Sequence, residues 1–426
     1  MPIKKLKRKL SSQLFRNISW LGTSELLNRI FRFGVTILIA RILSPYDYGL
    51  VAIISIVNEF INVFSLRGGI GSKIVQANET DVKSLCDTAY WMNWILCISL
   101  LILQCFAAFP IAWFYGDNNL ILPICILSLG FLIQPFFDVH GALVTRENRL
   151  KIIALCNTSH SILSSILTVG MALLGMGIWA VVLPNLLTAP VWIVILRKNH
   201  PWRSPKHFTL KRWYEIFSFG RNILGVELLN KLRANLDYLL VGHFLGVQAL
   251  GIYYFAFNAG LGISLSMISI ICMALFPHLC AARNNLEQFK KRYFSSLKMI
   301  ALIFVPLVLL QSILAPFYVP IVFGQKWVTA IPILILICLS ALPRPFALTA
   351  SQVLQAIDKT HIDLYWNLIF TVIFAVFLLV AVKEGIFWVA AAVLICHALV
   401  LPIFTILIIK YVFIQNPQLF FSSEKL

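Results

Sequence analysis

Three charged side chains in one segment near the N-terminus have the spacing of a binding site on one face of a helix. Glu25, Arg29 and Arg32 are four and three residues apart, which brings them within about 60° of one another around a helix. A guanidinium suits phosphate because its N–H donors form a planar fork. Arg32 has no acid three or four residues away in its own segment. It is therefore the best single candidate for binding an anionic group.

A second segment in the middle of the chain repeats this pattern. Glu227 and Lys231 are four residues apart, and Arg233 and Asp237 make a similar pair on another face. An acid four residues before a base is also the favourable order for pairing within a helix, so simple charge neutralisation stays open as the alternative. The candidate substrate-binding residues are Arg29, Arg32, Lys231, Arg233, Glu25, Glu227, Asn28 and Asn230.

A third arginine lies between two prolines. Pro343 and Pro345 flank Arg344 and predict a bent or broken helix whose freed carbonyls need partners. Arg344 could satisfy these carbonyls or reach a lipid headgroup. We keep Arg344 and Asp237 as secondary or gating candidates.

The composition places these residues in a membrane protein. The chain of 426 residues is 60% hydrophobic and 12% charged, roughly half the charged fraction of a soluble domain. Apolar runs of about 20 residues recur along it, without the alternation of a barrel strand, and so predict helices. There is no P-loop, no metal-ligand cluster and no pair of catalytic carboxylates in a loop, so we expect no enzyme activity, no catalytic residue, no metal and no cofactor.

The apolar runs predict an all-α integral membrane protein of about twelve transmembrane helices. The predicted helices are 17–41, 47–66, 88–113, 119–139, 152–174, 177–197, 214–241, 248–276, 298–318, 329–354, 363–382 and 385–410.

The distribution of lysine and arginine predicts the orientation. With the N-terminus in the cytoplasm, the cytoplasmic segments hold 26 of these residues, and the opposite side holds only Arg41, Lys326 and Lys383. Such a bias is typical of cytoplasmic loops. It accounts for the net charge of +18 without nucleic-acid binding, and it predicts that both termini are cytoplasmic.

An internal repeat predicts two parallel six-helix lobes. Glu25-Leu-Leu-Asn28-Arg29 reappears after 202 positions as Glu227-Leu-Leu-Asn230-Lys231. An even number of helices per half makes the repeat parallel, and this architecture is found in transporters with a site between the halves. We predict an N-terminal lobe at 1–197, a basic cytoplasmic linker at 198–213, a C-terminal lobe at 214–412 and a cytoplasmic tail at 413–426.

Four segments together carry a recognisable pattern: the basic N-terminus, the polar first helix with the segment 40–49 after it, the loop 143–151, and the segment 245–254 in the second half. In these segments the chain resembles bacterial polysaccharide flippases, the exopolysaccharide and O-antigen translocases of the multidrug/oligosaccharidyl-lipid/polysaccharide exporter superfamily.

The resemblance implies a function and partners. It implies a flippase that carries an undecaprenyl-diphosphate-linked oligosaccharide from the cytoplasmic to the periplasmic leaflet of the bacterial inner membrane by alternating access, for exopolysaccharide or lipopolysaccharide synthesis. The protein would be embedded in membrane lipid, and its candidate protein partners are the polymerase and chain-length proteins of the same pathway. The driving force is open: a proton gradient, a sodium gradient or removal of product would each serve.

Three rival functions stay open. A multidrug or small-cation exporter of the same superfamily would want acids without compensating bases, whereas the two polar helices have a small basic excess. A polysaccharide polymerase or lipid-linked glycosyltransferase would need a substantial outer loop, and the outer connections predicted here are short. A passive scaffold would leave the polar helices unexplained.

Overall fold

The computed structural model describes residues 28–29, 31–280, 282–283 and 285–415. Those residues form α-helices and short 3₁₀ or π turns, and none of them forms a strand. Continuous helices satisfy their own backbone hydrogen bonds, as hydrocarbon surroundings require. The all-α prediction is confirmed.

The chain folds into two compact units that divide between Asn235 and Leu236. One long helix, α10, begins in the first unit and ends in the second. The predicted lobe and linker bounds stay a prediction.

The first unit contains helix α1 at 31–42 and the helices that follow it. They are α2 (Pro45–Val63), α3 (Arg67–Gln76), α4 (Val82–Tyr115), α5 (Ile121–Ser128), α6 (Asp138–Arg146), α7 (Leu150–Leu173), α8 (Trp179–Thr188), α9 (Pro190–Asn199) and most of α10 (Trp213–Leu245).

The second unit continues from the end of α10. Its helices are α11 (Val247–Cys280), α12 (Leu286–Tyr318), α13 (Ile331–Ser340), α14 (Arg344–Ala356), α15 (Thr360–Ala381) and α16 (Ile386–Lys410). Its core includes Trp327, which is fully buried and stacks on Phe255 with ring centroids 3.9 Å apart.

Within the described ranges, nine helical stretches are long and apolar enough to cross a membrane. They correspond to nine of the twelve predicted helices. Of the other three, predicted helix 1 lies within the described residues only at 28–29 and 31–41, and predicted helices 7 and 8 form α10 and α11. The count of twelve therefore stays a prediction.

The start of α2 shows how the local sequence sets a helix end. Ser44 accepts a hydrogen bond from the backbone of Asp47, and the Asp47 carboxylate accepts one from the backbone of Ser44. Pro45 fills the first helical turn, where no N–H partner is needed. This capping box fixes the turn between α1 and α2 within the segment 40–49.

Proline breaks three of the predicted helices. Predicted helix 6 is divided into α8 and α9 at Pro190, which begins the new helix. Predicted helix 10 is divided into α13 and α14 by turns ending at Pro343, as the two prolines suggested. Predicted helix 4 becomes α5 followed by 3₁₀ turns, one of which begins at Gln134 before Pro135.

The predicted basic linker packs against the first unit. The ring centroids of Trp202 and Tyr90 are 6.0 Å apart, and the carbonyl oxygen of Trp202 is 3.1 Å from Nε2 of His140. The indole of Trp91 donates to the carbonyl of His207 at 2.8 Å. These contacts join 200–207 to α4 and α6.

A close backbone contact joins α3 and α10. A Cβ atom on Gly69 would lie 2.6 Å from the Cα of Gly220, closer than real atoms approach. Small residues allow helix backbones in membranes to pack at short distance. Only glycine fits at Gly69 without a shift of the neighbouring backbone.

Candidate functional site

Helix α1 and the two described residues before it, 28–29, carry three of the predicted binding residues. Asn28 is 5% exposed, and its buried Oδ1 has no hydrogen-bond partner among the described residues. Arg29 is half-buried. Arg32 is exposed, and no ion pair joins its side chain to a described residue. Glu25 lies outside the described residues, so its pairing with Arg29 stays a prediction.

Lys231 pairs with an acid from another helix. Its Nζ lies 2.8 Å from Oε2 of Glu59 in α2, and both side chains are nearly half exposed. The pair Glu227–Lys231, which sequence spacing left open as a neutralising contact, is not the one formed. The contact joins α10 to the C-terminal half of α2, which sequence spacing alone could not show.

Two further candidates on α10 interact with each other. Nη2 of Arg233 donates to Oδ1 of Asn230 at 3.3 Å. Glu227 is exposed, and its Oε1 reaches within 3.0 Å of the Cβ position of Gly68. Carboxylate, amide and basic groups of α10 are thus accessible on the part of the helix that belongs to the first unit.

The secondary candidates Asp237 and Arg344 are both in the second unit. Asp237 is 4% exposed and accepts hydrogen bonds from the hydroxyl of Tyr253 at 2.8 Å and from the backbone N–H of Tyr238 at 3.0 Å. The guanidinium of Arg344 lies 5.9 Å from the ring centre of Phe257 and acts electrostatically on Asp237. The break at the two prolines places Arg344 at the start of α14.

An ion pair in the first unit joins α3 to α6. Nε of Arg67 lies 2.8 Å from Oδ1 of Asp138, whose side chain is only 6% exposed. Asn93 donates to the other carboxylate oxygen at 2.9 Å. Burial raises the pKa of the Asp138 carboxyl above its ordinary value, while Arg67 and Asn93 act in the opposite direction.

A polar cavity of about 350 Å³ opens beside this ion pair. Five amide side chains, one histidine and three aromatic rings contribute to its lining. These residues are Asn58, Asn62, Gln134, Asn157, Asn185, His160, Phe131, Phe137 and Trp192, together with Arg67.

The amides of this cavity were missed at the sequence level. Asn58 and Asn62 are four residues apart on α2, and Asn157 and His160 are three apart on α7. This spacing puts each pair on one helix face. An uncharged amide stands out less than an arginine in an apolar run, although the paired spacing was a usable signal.

His140 is a packing residue. Its pKa is lowered to about 4, chiefly by burial, so the ring is neutral near pH 7. The neutral ring can donate from Nε2 to the carbonyl of Trp202 at 3.1 Å. His140 therefore serves to pack α6 against the segment 200–207.

Nothing in the described ranges gathers three or more His, Cys, Asp or Glu side chains into a metal-ligand group. The accessible groups of the first unit include guanidinium, ammonium, amide and imidazole groups as well as the carboxylates of Glu59 and Glu227. This arrangement can bind anionic and hydroxyl groups.

Solved structures share the fold of this chain. An inward-facing multidrug resistance MATE transporter of the MOP superfamily matches with a TM-score of 0.73 at 16% identity, covering 95% of this chain and 99% of the other. The lipid II flippase MurJ matches with a TM-score of 0.76 at 14% identity, covering 92% and 87%. These similarities show the fold.

Curated relatives with higher identity are polysaccharide proteins of bacteria. The teichuronic acid biosynthesis protein TuaB of Bacillus subtilis is 26% identical over 78% of this chain and 70% of its own length. The lipopolysaccharide biosynthesis protein WzxC of Escherichia coli is 27% identical over 79% and 68%. The succinoglycan biosynthesis transport protein ExoT of Rhizobium meliloti is 23% identical over 83% and 71%.

A family model gives the assignment. The model described as "Polysaccharide biosynthesis protein" matches residues 38–332, which is more than half of the chain. The match covers most of the first compact unit, extends into the second, and includes every residue that lines the polar cavity. The chain is therefore a member of the polysaccharide biosynthesis protein family.

Proposed function

We propose that this chain is a flippase that moves an undecaprenyl-diphosphate-linked oligosaccharide from the cytoplasmic to the periplasmic leaflet by alternating access. The observation that carries the proposal is Arg32, an exposed guanidinium on a polar helix of a membrane protein. Ionisable groups at membrane depth are expensive and mark the pathways of ions and substrates. A diphosphate is the part of the cargo that such a group would bind.

The remaining basic candidates extend this binding surface. Lys231 is accessible, and Glu59 can hold its ammonium in place while no cargo is bound. Arg29 and Arg233 are half-buried and Asn230 is exposed on the same two helices. Together these groups offer charge-assisted hydrogen bonds to phosphate and neutral hydrogen bonds to sugar.

The two ends of the cargo need different surroundings. The polyprenyl tail gains its transfer free energy, about 0.8 kcal/mol per CH₂, only in an apolar medium. We therefore expect the tail to stay in lipid while the diphosphate and sugar pass over polar side chains. Rocking of two lobes at 1–197 and 214–412 around the cargo would provide access to each side in turn.

The names of the relatives support a transporter rather than an enzyme. ExoT is a transport protein of succinoglycan biosynthesis, and WzxC belongs to lipopolysaccharide biosynthesis. MurJ, which shares the fold, is a lipid II flippase. A lipid-linked oligosaccharide is a cargo that fits both these names and the basic site.

The inner membrane of a bacterium is the place where such a cargo is made. The proposed orientation has both termini in the cytoplasm, on the side of the 26 basic residues. The basic segment at 198–213 and the tail at 413–426 would then be cytoplasmic. Polymerase and chain-length proteins of the same pathway would receive the product on the far side.

A coupling ion is a further component of the proposal. The fold is shared with MATE transporters, and Asp237 provides a buried carboxylate held by two hydrogen bonds. A proton or Na⁺ entering or leaving this carboxylate would change the charge balance beside Arg344. Export of a small cation is the rival that the MATE fold favours, and the accessible bases of the first unit argue against it.

Replacement of Arg32 tests the proposal in cells. The chain would be expressed in its host after deletion of the chromosomal copy, and surface polysaccharide and inner-leaflet lipid-linked oligosaccharide would be measured. We expect Arg32→Ala to abolish polymer and to accumulate the lipid-linked precursor, with Arg32→Lys intermediate because lysine lacks the planar fork.

The matched control is Lys383→Ala. Lys383 is an exposed base that the charge distribution assigns to the opposite side of the membrane. It should leave polymer at the wild-type amount. Normal polymer with Arg32→Ala, at equal protein in the membrane, would contradict the proposed site.

A further inference from the structure

We propose that the cavity of the first unit is a saccharide subsite, which holds a sugar ring of the cargo through its hydroxyl groups. This inference rests on the proposed function and names the part of the cargo that the first unit binds. It separates the recognition of sugar, in the cavity, from the recognition of diphosphate, at the basic residues of α1 and α10.

Hydrogen-bonding groups in the cavity lack protein partners. Among the described residues, the side chains of Asn58, Asn157 and His160 make no hydrogen bond to protein, although all three line the cavity. Asn157 is exposed, and Asn58 and His160 are half-buried, so their donors and acceptors are accessible from the cavity. These three side chains can therefore hydrogen-bond to a ligand inside the cavity.

The type of group selects the type of ligand. An amide both donates and accepts hydrogen bonds, and so does a neutral imidazole. A sugar hydroxyl also does both, so a ring with several hydroxyls matches a lining of amides. Asn62 and Gln134 are already joined at 3.2 Å, which leaves further donor and acceptor positions of both amides for a ligand.

The charges beside the cavity argue against an ion as the ligand. No carboxylate belongs to the lining, and hard cations such as Mg²⁺ and Ca²⁺ are bound largely by carboxylate oxygens. The lone cation of the lining, Arg67, is compensated by Asp138 at 2.8 Å, so the cavity carries little net charge for a phosphate. A neutral, hydroxyl-rich ligand fits this balance best.

Aromatic side chains form part of the cavity wall. Trp192 stacks on Phe137 with ring centroids 5.7 Å apart and an angle of 27° between the planes. The guanidinium of Arg67 lies 5.2 Å from the Phe137 ring centre and 5.8 Å from that of Trp192. Such a wall can cover the apolar face of a sugar ring while the amides bind its hydroxyls.

The volume limits how much of the cargo can enter. Pockets for small organic ligands span about 300–1,000 Å³, so 350 Å³ is at the small end. The cavity suits part of an oligosaccharide, not a whole repeat unit. The cavity would therefore discriminate between types of sugar, but not between oligosaccharides of different length.

A binding experiment tests the subsite without the lipid cargo. The purified full-length protein in nanodiscs would be titrated with glucose, galactose, glucuronate, inorganic phosphate, glycerol or NaCl, and its Tm followed. A ligand that binds only the folded state raises Tm as its concentration exceeds Kd. We expect at least one of the sugars, and neither glycerol nor NaCl, to raise Tm.

Variants tie any shift to the cavity. Asn157→Leu/His160→Leu should abolish the sugar-dependent shift. Asn199→Leu is the control. It is the same kind of substitution in the same unit, but Asn199 does not line the cavity and its amide donates to the carbonyl of Ile195. No shift with any sugar, a shift with phosphate alone, or an equal shift in the cavity variant would overturn the subsite and leave a cavity that holds water.

A cellular arm separates the subsite from the proposed function. With its own cargo, the cavity variant should transport on the order of tenfold less, the effect of losing two hydrogen bonds of about 0.7 kcal/mol each. If Arg32→Ala abolishes polymer while the cavity variant and Asn199→Leu both support normal amounts, the subsite is wrong and the flippase function stands. If the wild-type chain itself does not restore polymer, the proposed function fails.

Discussion

The polar side chains of the two compact units are arranged in different ways. In the first unit, amides and a histidine line an open cavity, and several have no protein partner among the described residues. In the second unit, Asp237 is buried and held by Tyr253 and Tyr238, with Arg344 acting on it. The first arrangement is ready to accept a ligand, whereas the second is largely satisfied by the protein itself.

The repeated motif does not follow the division into two units. The Glu-Leu-Leu-Asn-basic motif is present twice, yet the second copy, at Glu227 to Lys231, lies in the first compact unit. Helix α10 then continues into the second unit, where it carries the buried Asp237. We infer that recognition belongs to the first unit and that the buried carboxylate supports structure or coupling.

The largest effect on stability is expected from the ion pair beside the cavity. Arg67→Leu would leave the carboxylate of Asp138 buried without its counter-ion, and breaking a buried pair costs about 3–5 kcal/mol. Half of the Arg67 side chain is exposed, so we expect about 3 kcal/mol in a denaturant titration of the purified protein.

The rescue for that variant is Asp138→Asn. A neutral amide needs no counter-ion, so Arg67→Leu/Asp138→Asn should recover most of the loss. A double variant as unstable as Arg67→Leu would show that Asp138 is not the reason for the loss.

A smaller loss is expected where the backbones of α3 and α10 meet. Gly69→Ala places a methyl group 2.6 Å from the Cα of Gly220, and overpacking typically costs about 1–3 kcal/mol. In the second unit, Gly260→Ala meets Sγ of Cys338 at 2.9 Å, and a side chain can move more easily than a backbone.

Unfolding of three glycine variants would compare the two units directly. Gly71→Ala is the control, since its nearest neighbour is 4.0 Å away. The expected order of destabilisation is Gly69→Ala, then Gly260→Ala, then Gly71→Ala. A Gly69→Ala protein as stable as the control would contradict the close contact.

The hydrogen bond between Tyr253 and the buried carboxylate of Asp237 should also contribute to the free energy of unfolding. Tyr253→Phe removes the hydroxyl that donates to Asp237 at 2.8 Å, while the bond from the Tyr238 backbone remains. We expect a loss of about 1.5–2 kcal/mol, the low part of the range for hydrogen bonds to charged groups. Tyr365→Phe, at an exposed tyrosine, should be neutral in the same unfolding measurement. Equal stability of the two variants would show that Asp237 does not depend on Tyr253.

The smallest effect on stability is expected at Lys231. Its ion pair with Glu59 is nearly half exposed, and such pairs contribute about 0–1 kcal/mol. Lys231→Ala should therefore leave unfolding almost unchanged while it lowers polysaccharide output in cells. A large loss of stability with normal output would assign Lys231 to structure and remove it from the proposed binding surface.

Much of the fold could be predicted because bilayer solvation is a strong constraint. The apolar runs gave the helical class and most helix positions, and prolines 343 and 345 marked a real break. Helix α3 was missed because its short sequence, rich in glycine, has no apolar period long enough to stand out. The start of α12 at Leu286, twelve residues earlier than predicted, extends the helix through a basic segment that hydropathy excludes.

The candidate site was less predictable than the fold. Charge made Arg32 and Lys231 conspicuous, but the partner of Lys231 comes from α2, at a separation that sequence spacing does not reveal. The cavity combines residues from α2, α7, α8 and α9, and uncharged amides give little signal in a hydropathy profile. The ion pair of Lys231 and the cavity both depend on contacts between segments that are far apart in the sequence.

Movement of cargo across a bilayer is the most direct test of the central claim. Purified full-length chain would be reconstituted into vesicles whose inner leaflet holds undecaprenyl-diphosphate-linked oligosaccharide from the host, and an impermeant glycosidase would be added outside. The account predicts that the cleaved fraction rises with time for the wild type and Lys383→Ala, and stays at the protein-free amount for Arg32→Ala. Equal cleavage with Arg32→Ala, or none with the wild type, would contradict it.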